Sequence, residues 1–373
     1  MPLLNHDYDY LIIGGGLVGA AVAYGLSQSN ERVAVLDEGD RALRASRGNF
    51  GLVWVQGKGA DNAAYARWSG YAADQWQEFN TGLQGASGVD TGYERPGGME
   101  FCISEEEWDA RSDEMERVSA HTDGAFEYEM LEHAALKRRI PQIGNDVIGA
   151  SFSPQDGHVN PLYLLRAMHQ CMDQNGVRYH ANCRTETISF DRGEFVVSCA
   201  SGEFSANKIV LAAGLDNQRL GAMLDMRIPI SALRGQILVS EKLPAFLHYP
   251  TLHVRQTREG GVQIGDSHEA VDLDDGTRGQ VIAGIAKRAV TMFPHLHATQ
   301  LLRAWGALRV MTPDGCPIYQ RSRDCPSAFA ISTHSGVSLA AAHAGVICDW
   351  VRGAAEHPLI AHFGSERFDA DLS

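Results

Sequence analysis

A short apolar run that ends in three spaced glycines limits this chain more than any other stretch. Tyr10-Leu11-Ile12-Ile13 reads as a buried strand, and Gly14, Gly16 and Gly19 follow it in G-x-G-x-x-G spacing. Ala20 to Leu26 then reads as a helix of small residues, and Arg32 to Leu36 as a second strand ending in Asp37. Each part has a mechanical role in holding a dinucleotide. Gly14 makes the strand-to-helix turn, Gly16 admits a pyrophosphate close to the backbone, and Gly19 lets the helix lie against the sheet. The helix start offers unpaired N–H groups and partial positive charge to the phosphates. Asp37 stands 23 residues beyond Gly14, where a carboxylate accepts hydrogen bonds from ribose hydroxyls. Glycine is common here, at 39 residues, so it is the whole strand–glycine–helix–strand–acid order that carries the reading. The acid suits the adenosine ribose of NAD or FAD and argues against NADP, whose 2′-phosphate it would repel.

At 373 residues the chain exceeds what one core serves, so two domains are expected. A net charge of −14 weighs against nucleic acid and anionic membrane surfaces, which attract clustered lysine and arginine. The seven cysteines are scattered, with no C-x-x-C pair. That weighs against a disulfide framework and against a zinc or iron–sulfur site built by this chain alone. Reduced thiols in a cytoplasmic protein are the expectation. MPLLNHDYDY carries two acids and no lysine or arginine, unlike a secretory signal, and no apolar stretch is long enough for a transmembrane segment.

Residues 38–59 are rich in glycine, arginine and small side chains and read as a loop laid against something. Tyr65, Trp68, Ala72, Trp76 and Phe79 recur at helical spacing and read as core aromatics, with Trp54 as a further core aromatic. Residues 84–144 read as a departure from the nucleotide domain. They hold a strand in YERPGGMEFCIS and an exposed, acid-rich helix opened by a capping box of Ser104 and Glu107. Leu162, Leu165, Met168 and Met172 share one face of a helix that Gly176 ends. Short strands follow as far as Ala212-Ala213-Gly214, where the chain rejoins the first sheet. Residues 228–310 are strand-rich, with a helix at 278–293. The last stretch repeats the opening: an apolar strand runs into Thr333-His334-Ser335-Gly336 and then a helix of small residues.

Eight stretches in this order resemble the FAD-dependent amine oxidoreductases of the D-amino-acid-oxidase type: YLIIGGGLVGAAVAYGL, VAVLDEG, ASRGNFGLV, DGHVNPLYLLRAM, KIVLAAG, LRGQIL, WGALRVMTPDGCPI and THSGVSLAAAHAG. They span the chain from end to end. SRGNFGLV and SGVSLAAAHAG are most similar to the flavin subunits of opine oxidase and hydroxyproline dehydrogenase; hydrogen cyanide synthase and glycine and sarcosine oxidases belong to the same group. The resemblance implies an α/β fold. A Rossmann-like, GR2-type FAD-binding domain would comprise 1–83, 145–227 and 312–373. An α+β substrate domain on a mostly antiparallel sheet would comprise 84–144 and 228–311.

It also implies the chemistry: oxidation of the C–N bond of an amino-acid-like amine (a D-amino acid, opine, hydroxyproline or N-substituted glycine). Hydride goes to flavin N5 and the imine product hydrolyses. Oxygen, a quinone or a partner subunit would take the electrons, and any iron–sulfur relay would lie on another chain of a hetero-oligomer. A glycine- or sarcosine-type oxidase, a nicotinamide-dependent dehydrogenase and a non-catalytic FAD-binding scaffold are the rival readings.

Carried over by residue, the resemblance assigns Gly14, Gly16, Leu17, Val18 and Gly19 to the pyrophosphate, and Asp37 with Glu38 to the adenosine ribose. Ser46, Arg47, Asn49, Gly51 and Leu52 run along the pyrophosphate and flavin. The Thr185 backbone meets the adenine, and Ala213-Gly214 approaches the dinucleotide. His334, Ser335, Gly336, Val337 and Ser338 pass the pyrimidine edge of the flavin, where helix-start N–H groups would offset negative charge near N1 and C2=O. Arg309 aligns with the arginine that holds the substrate carboxylate in glycine oxidase, and its fork suits a planar carboxylate. His334 and His253 are further catalytic candidates, the latter with Arg255 two residues on along a strand. Monomeric sarcosine oxidase attaches its flavin through a cysteine where this chain has Ala307, and Cys316 lies after the motif. FAD is therefore expected to be non-covalent.

Overall fold

The computed structural model describes residues 7–39 and 45–369. The readings of the first six residues and of 40–44 fall outside it. Tyr8–Ile13 forms the first strand, and its apolar residues are buried because strands flank it on both sides. Val33–Leu36 pairs along one edge and Gly202–Leu211 along the other, both parallel. Ala328–Ser332 adds in parallel beyond Gly202–Leu211, Ile318–Arg321 closes that edge antiparallel, and Arg178–His180 adds beyond Val33–Leu36. The antiparallel hairpin of Thr185–Asp191 and Glu194–Cys199 joins through the start of Gly202–Leu211. Parallel strands need crossovers, so helices cover this sheet and its strands read as continuous apolar runs.

One face packs on Leu17–Leu26, Ala63–Ser87, Pro161–Gln174 and the C-terminal helical run. That run is Ala340–Ala342, a π turn at His343–Ile347, and Cys348–Arg352. The small residues of the first helix serve close approach: a Cβ on Gly25 would lie 2.1 Å from the Ala344 carbonyl oxygen. The helical spacing of aromatics is confirmed, with Tyr65, Trp68 and Trp76 buried and Asn62 capping the N-terminus. In Pro161–Gln174 the buried face is Leu164, Leu165, Met168, Cys171 and Met172. Leu162 is exposed rather than buried, because the packed face of the helix runs through Pro161, Leu164, Leu165 and Met168.

The second sheet is antiparallel, as expected. Ser231–Lys242 pairs along its length with Leu301–Met311, and with Gly261–Ile264 and Glu269–Ala270; Val254–Gln256 pairs with Gly261–Ile264. A three-stranded sheet of Gly98–Cys102, Gly149–Ser153 and Glu129–Glu132 meets it at a Met99–Thr251 bridge, and both share a core with the helix Gly279–Met292. Gly149–Ser153 therefore sides with the second sheet, although the expected return to the nucleotide half lies at 145. The strand is buried nearly throughout, so it shows no alternation that would tell its sheet from the other. Ser104 caps the helix Glu105–His121 as expected. Glu107 reaches back to Ile103 N–H (2.9 Å) rather than to Ser104, and the helix buries Arg111, Met115 and Val118.

Candidate active site

The carboxyl ends of four parallel strands meet at a cavity of about 480 Å³, lined there by Ile13, Leu36, Ala212 and Ser332. Open parallel sheets place ligands at such strand ends. Gly14 has φ +104°, and a Cβ on it would lie 2.5 Å from the Ala212 carbonyl oxygen. A Cβ on Gly19 would lie 1.9 Å from the Gly14 carbonyl oxygen. Only hydrogen fits at either place, so the helix start is drawn in to the sheet. Gly16 is the N-cap and has no side chain to satisfy the first turn; Leu17 N–H donates to Ser46 Oγ at 2.9 Å. Val18, Arg47 and Asn49 line the same wall. Gly51 and Leu52 lie behind it, Gly51 N–H donating to Asn49 Oδ1 (2.7 Å) and the Leu52 carbonyl accepting from Ser338 Oγ (3.3 Å).

Asp37 is held at the cavity by Gly15 N–H (2.6 Å) and Gly39 N–H (3.0 Å). Glu38 beside it lies 3.5 Å from Arg184. The Thr185 carbonyl accepts from Arg219 (2.8 Å), while its hydroxyl is buried at the cavity with no hydrogen-bond partner. Ala213 N–H donates to Asn217 Oδ1 (2.8 Å), and Asn217 Nδ2 donates to Leu211 O, Ile331 O and Ser332 Oγ. A glycine cradle, an uncapped helix start and an orphaned hydroxyl around one cavity fit an adenine dinucleotide.

At the other end the loop after Ala328–Ser332 is pinned from behind by the aromatic helix. Tyr65 OH meets Ser335 Oγ at 2.7 Å, and Trp76 Nε1 donates to the Ser338 carbonyl at 2.9 Å. Trp54 N–H donates to Ser338 Oγ (3.0 Å), and its ring is buried, as expected of a core aromatic. His334 and Gly336 line the cavity; Val337 is buried. Among the helix-start N–H groups expected at the flavin, that of Ser335 is taken by Thr333 Oγ1 (3.0 Å).

His334 is neutral, because burial and the neighbouring charges of Lys58 and Arg309 hold its pKa well below the usual value. Lys58 Nζ lies 2.8 Å from His334 Nε2, and burial followed by Arg309's charge brings Lys58 down to about 8. Arg309 pairs with Asp266 and donates to Ser267 O at 2.8 Å. The neighbouring Leu308 and Val310 line the dinucleotide cavity. His253 precedes its strand and is not among the residues lining the cavity; burial and Arg288 push it down to about 4, and its Nδ1 has no partner. Arg255 is buried among Val159 O, Gln263 Oε1 and His158 (2.9, 3.1 and 3.4 Å), which burial reflects in a pKa lowered to about 10. Ala307 is buried against Gly235, and Cys316 is raised to about 12 by burial and Asp314, a poor nucleophile for a flavin ring. Cys183 and Cys199 are unbridged, and their sulfurs lie 2.7 Å apart beside the cavity wall at Arg184 and Thr185.

Lys58, Asn217, Asp266 and the polar ends of Tyr65 and Trp76 escape sequence reasoning. The signal for Lys58 was its place between two glycines in a chain with only five lysines. The others act through partners more than a hundred residues away, or through a loop with no motif. Among the described residues no helix is long and apolar enough to cross a membrane, and no group of His, Cys, Asp and Glu is arranged to hold a metal.

The sequence pattern of the family described as DAO, FAD dependent oxidoreductase, matches residues 9–350. The chain is 39% identical to an opine oxidase subunit from Rhizobium meliloti, over 98% of this chain and 99% of that one. It is 22% identical to glycine oxidase of Bacillus subtilis over 93% of this chain and 94% of that one. Its fold is similar to the crystal structure of glycine oxidase from Geobacillus kaustophilus, with a TM-score of 0.88 at 21% identity, covering 96% of this chain and 98% of that one.

Proposed function

Since the chain belongs to the DAO family of FAD-dependent oxidoreductases, which act on amine C–N bonds, we propose that it oxidises an amino-acid-like amine of the opine kind and works as the flavin subunit of a larger dehydrogenase. The relative that supports the finer reading is named as one subunit of an opine oxidase, a name that itself speaks of further subunits. The observation that carries the reading is Arg309, held by Asp266 and Ser267 O on the strand whose Leu308 and Val310 line the cavity. A guanidinium fork there suits a substrate that carries a carboxylate beside its nitrogen.

When bound, FAD supplies the acceptor for a hydride from the carbon beside that nitrogen. The chain's own residues position and shield. Gly14, Gly16 and Gly19 with the helix start at Leu17 hold the pyrophosphate, and Asp37 and Thr185 take the adenosine end. Ala307 and the protonated Cys316 leave the ring without a covalent tether, so FAD is held non-covalently. Arg309 shares its fork between Asp266 and the arriving carboxylate, which orients the C–H bond. His334, as a neutral imidazole, and Gly336 line the end of the cavity where the flavin ring would lie and would offset negative charge on it.

The test is anaerobic mixing of the oxidised holoenzyme with opines, D-amino acids, proline analogues and N-methyl amino acids. Opines are expected to bleach the flavin band near roughly 450 nm, a property of the cofactor. Bleaching by none of them would leave a scaffold that binds FAD without turning over. A chain that purifies as a monomer with full dye-reductase activity would remove the subunit role.

A further inference from the structure

The proposed reaction requires the substrate's ammonium group to lose a proton before hydride can leave, and an unused lysine stands beside the flavin loop. Lys58 lies in the turn Gly57-Lys58-Gly59, whose glycines have φ +79° and +75°. A Cβ on Gly59 would lie 2.1 Å from the Ala66 backbone nitrogen, so the turn is pressed onto the start of the helix Ala63–Ser87. Lys58 N–H closes the turn on Val55 O at 2.9 Å. The side chain reaches the cavity-lining His334, with Nζ 2.8 Å from Nε2, and it makes no ion pair among the described residues. One of its three N–H donors goes to the imidazole, and the other two have no partner there.

Resting on the reading above, we infer that Lys58 is the proton acceptor for the substrate's ammonium group, with the imidazole of His334 holding Nζ in place. An N–H bond of the ammonium breaks, a bond forms at Nζ, and the amine keeps its lone pair; no electrons are transferred in this step. His334 suits the task because it stays neutral. Its Nε2 lone pair can accept from the lysine ammonium that results, which puts the ring proton on Nδ1. The charged groups acting on Lys58 are Arg309, which opposes its charge, and Glu114, Asp156 and Asp266, which favour it. Burial is the largest influence, and the outcome near 8 leaves a usable fraction of neutral amine around neutrality. Lysine is the residue that can do this. The chain has 27 arginines against five lysines, and an arginine at this turn would stay charged throughout.

Two variants separate the role from a structural or purely electrostatic one. Lys58→Met removes the amine, and Lys58→Arg keeps the charge without the ability to lose it. Both are expected to bleach about 10²-fold more slowly than wild type at pH 7 with the best amine of the panel. Their flavin spectra and melting temperatures should be unchanged. The wild-type bleaching rate should rise through pH 8, and in both variants the rise should move up to the amine's own value. A second readout needs no turnover. Below pH 8 both the lysine and an incoming amino acid start protonated, and one proton must leave when they meet. Calorimetry of α-aminoisobutyrate, which has no α-hydrogen, binding to oxidised holoenzyme in two buffers of different ionisation heat counts that proton. Wild type should release close to one at pH 7 and less above pH 8, and Lys58→Met should release none. Wild-type rates and pH profile in Lys58→Arg, or no proton released by wild type, would overturn the inference. If no amine bleaches wild type at all, it is the proposed function that fails instead.

Discussion

The two ends of the cavity are built from different materials. At the end proposed for the adenosine the contacts are backbone: Gly14, Gly16 and Gly19 bring chain against chain, and the polar groups on offer are N–H donors and the carboxylate of Asp37. At the end proposed for the flavin and substrate the contacts are side chains drawn from the whole sequence. Tyr65 and Trp76 hold the loop from behind, Lys58 faces His334, and Arg309 reaches Asp266 across the antiparallel sheet. The first end is intolerant of added atoms, because its tolerance is set by van der Waals contact. The second is sensitive to charge, because its groups are partly desolvated and act on one another.

The largest effect should come from the adenosine end. Gly19→Ala places a methyl group 1.9 Å from a backbone oxygen that has no room to move. We expect a loss of about 3 kcal/mol or more, roughly 4 °C or more in melting temperature. The purified variant should be colourless. Calorimetry and the flavin absorbance of the purified protein check this, and a yellow variant with wild-type melting would break the comparison at its first term.

The same contrast explains what could be read from the sequence. The adenosine end was legible because its signal is local: three glycines and an acid within one strand–helix–strand unit, each required by backbone geometry. The antiparallel second sheet and the loop at His334 were legible through resemblance, since their motifs keep order along the chain. The pairing of Arg309 with Asp266 was not, because Asp266 sits in an irregular stretch whose position depends on the register of Ser231–Lys242 with its neighbours. Asn217 was invisible for a related reason. It ties Leu211 O to Ile331 O, two strand ends separated by 120 residues of sequence, and an asparagine in a short helix carries no such message. The pairing of Gly149–Ser153 with Gly98–Cys102 and Glu129–Glu132 was not legible, because a strand buried on both faces shows no period.

A smaller effect is expected at the substrate end, confined to binding. Arg309→Met should raise KM for an opine by about 30-fold or more, in line with roughly 2 kcal/mol or more for truncating one partner of a desolvated charge pair. Its kcat should change less. Asp266→Asn should act the other way and lower KM a few-fold, since the guanidinium would no longer be shared. Steady-state kinetics on both variants sharpens the comparison. An unchanged KM in Arg309→Met would make the guanidinium a tie for the Asp266 loop and nothing more.

The smallest effect is a slope, and it sets the two kinds of construction against each other through pH. His343 lies in the π turn packed on Leu17–Leu26, fully buried, with Tyr319 OH 3.1 Å from Nε2 and no partner on Nδ1. Burial holds it neutral, down to about 3. The unfolded chain takes up a proton at this histidine below about pH 6.5, and the folded chain does not. Stability that His343 permits is therefore intact above pH 6.5 and is lost as pH falls toward 3, at up to about 1.4 kcal/mol per pH unit. Asp156, which holds the backbone of Val55 and Gln56 ahead of Lys58, runs the opposite way. Burial raises it to about 6, so the folded chain keeps a proton that the unfolded chain has given up, and stability falls as pH rises from about 4 to 6. In that window the two groups offset one another. His343→Gln, which keeps an acceptor for Tyr319, should flatten the acid limb of a denaturant-derived stability curve between pH 6 and 4 by about one proton. Asp156→Asn should steepen it by a comparable amount. Equal slopes in wild type and both variants would mean that neither group keeps its buried protonation state, and that the cavity's surroundings are wetter than their packing implies.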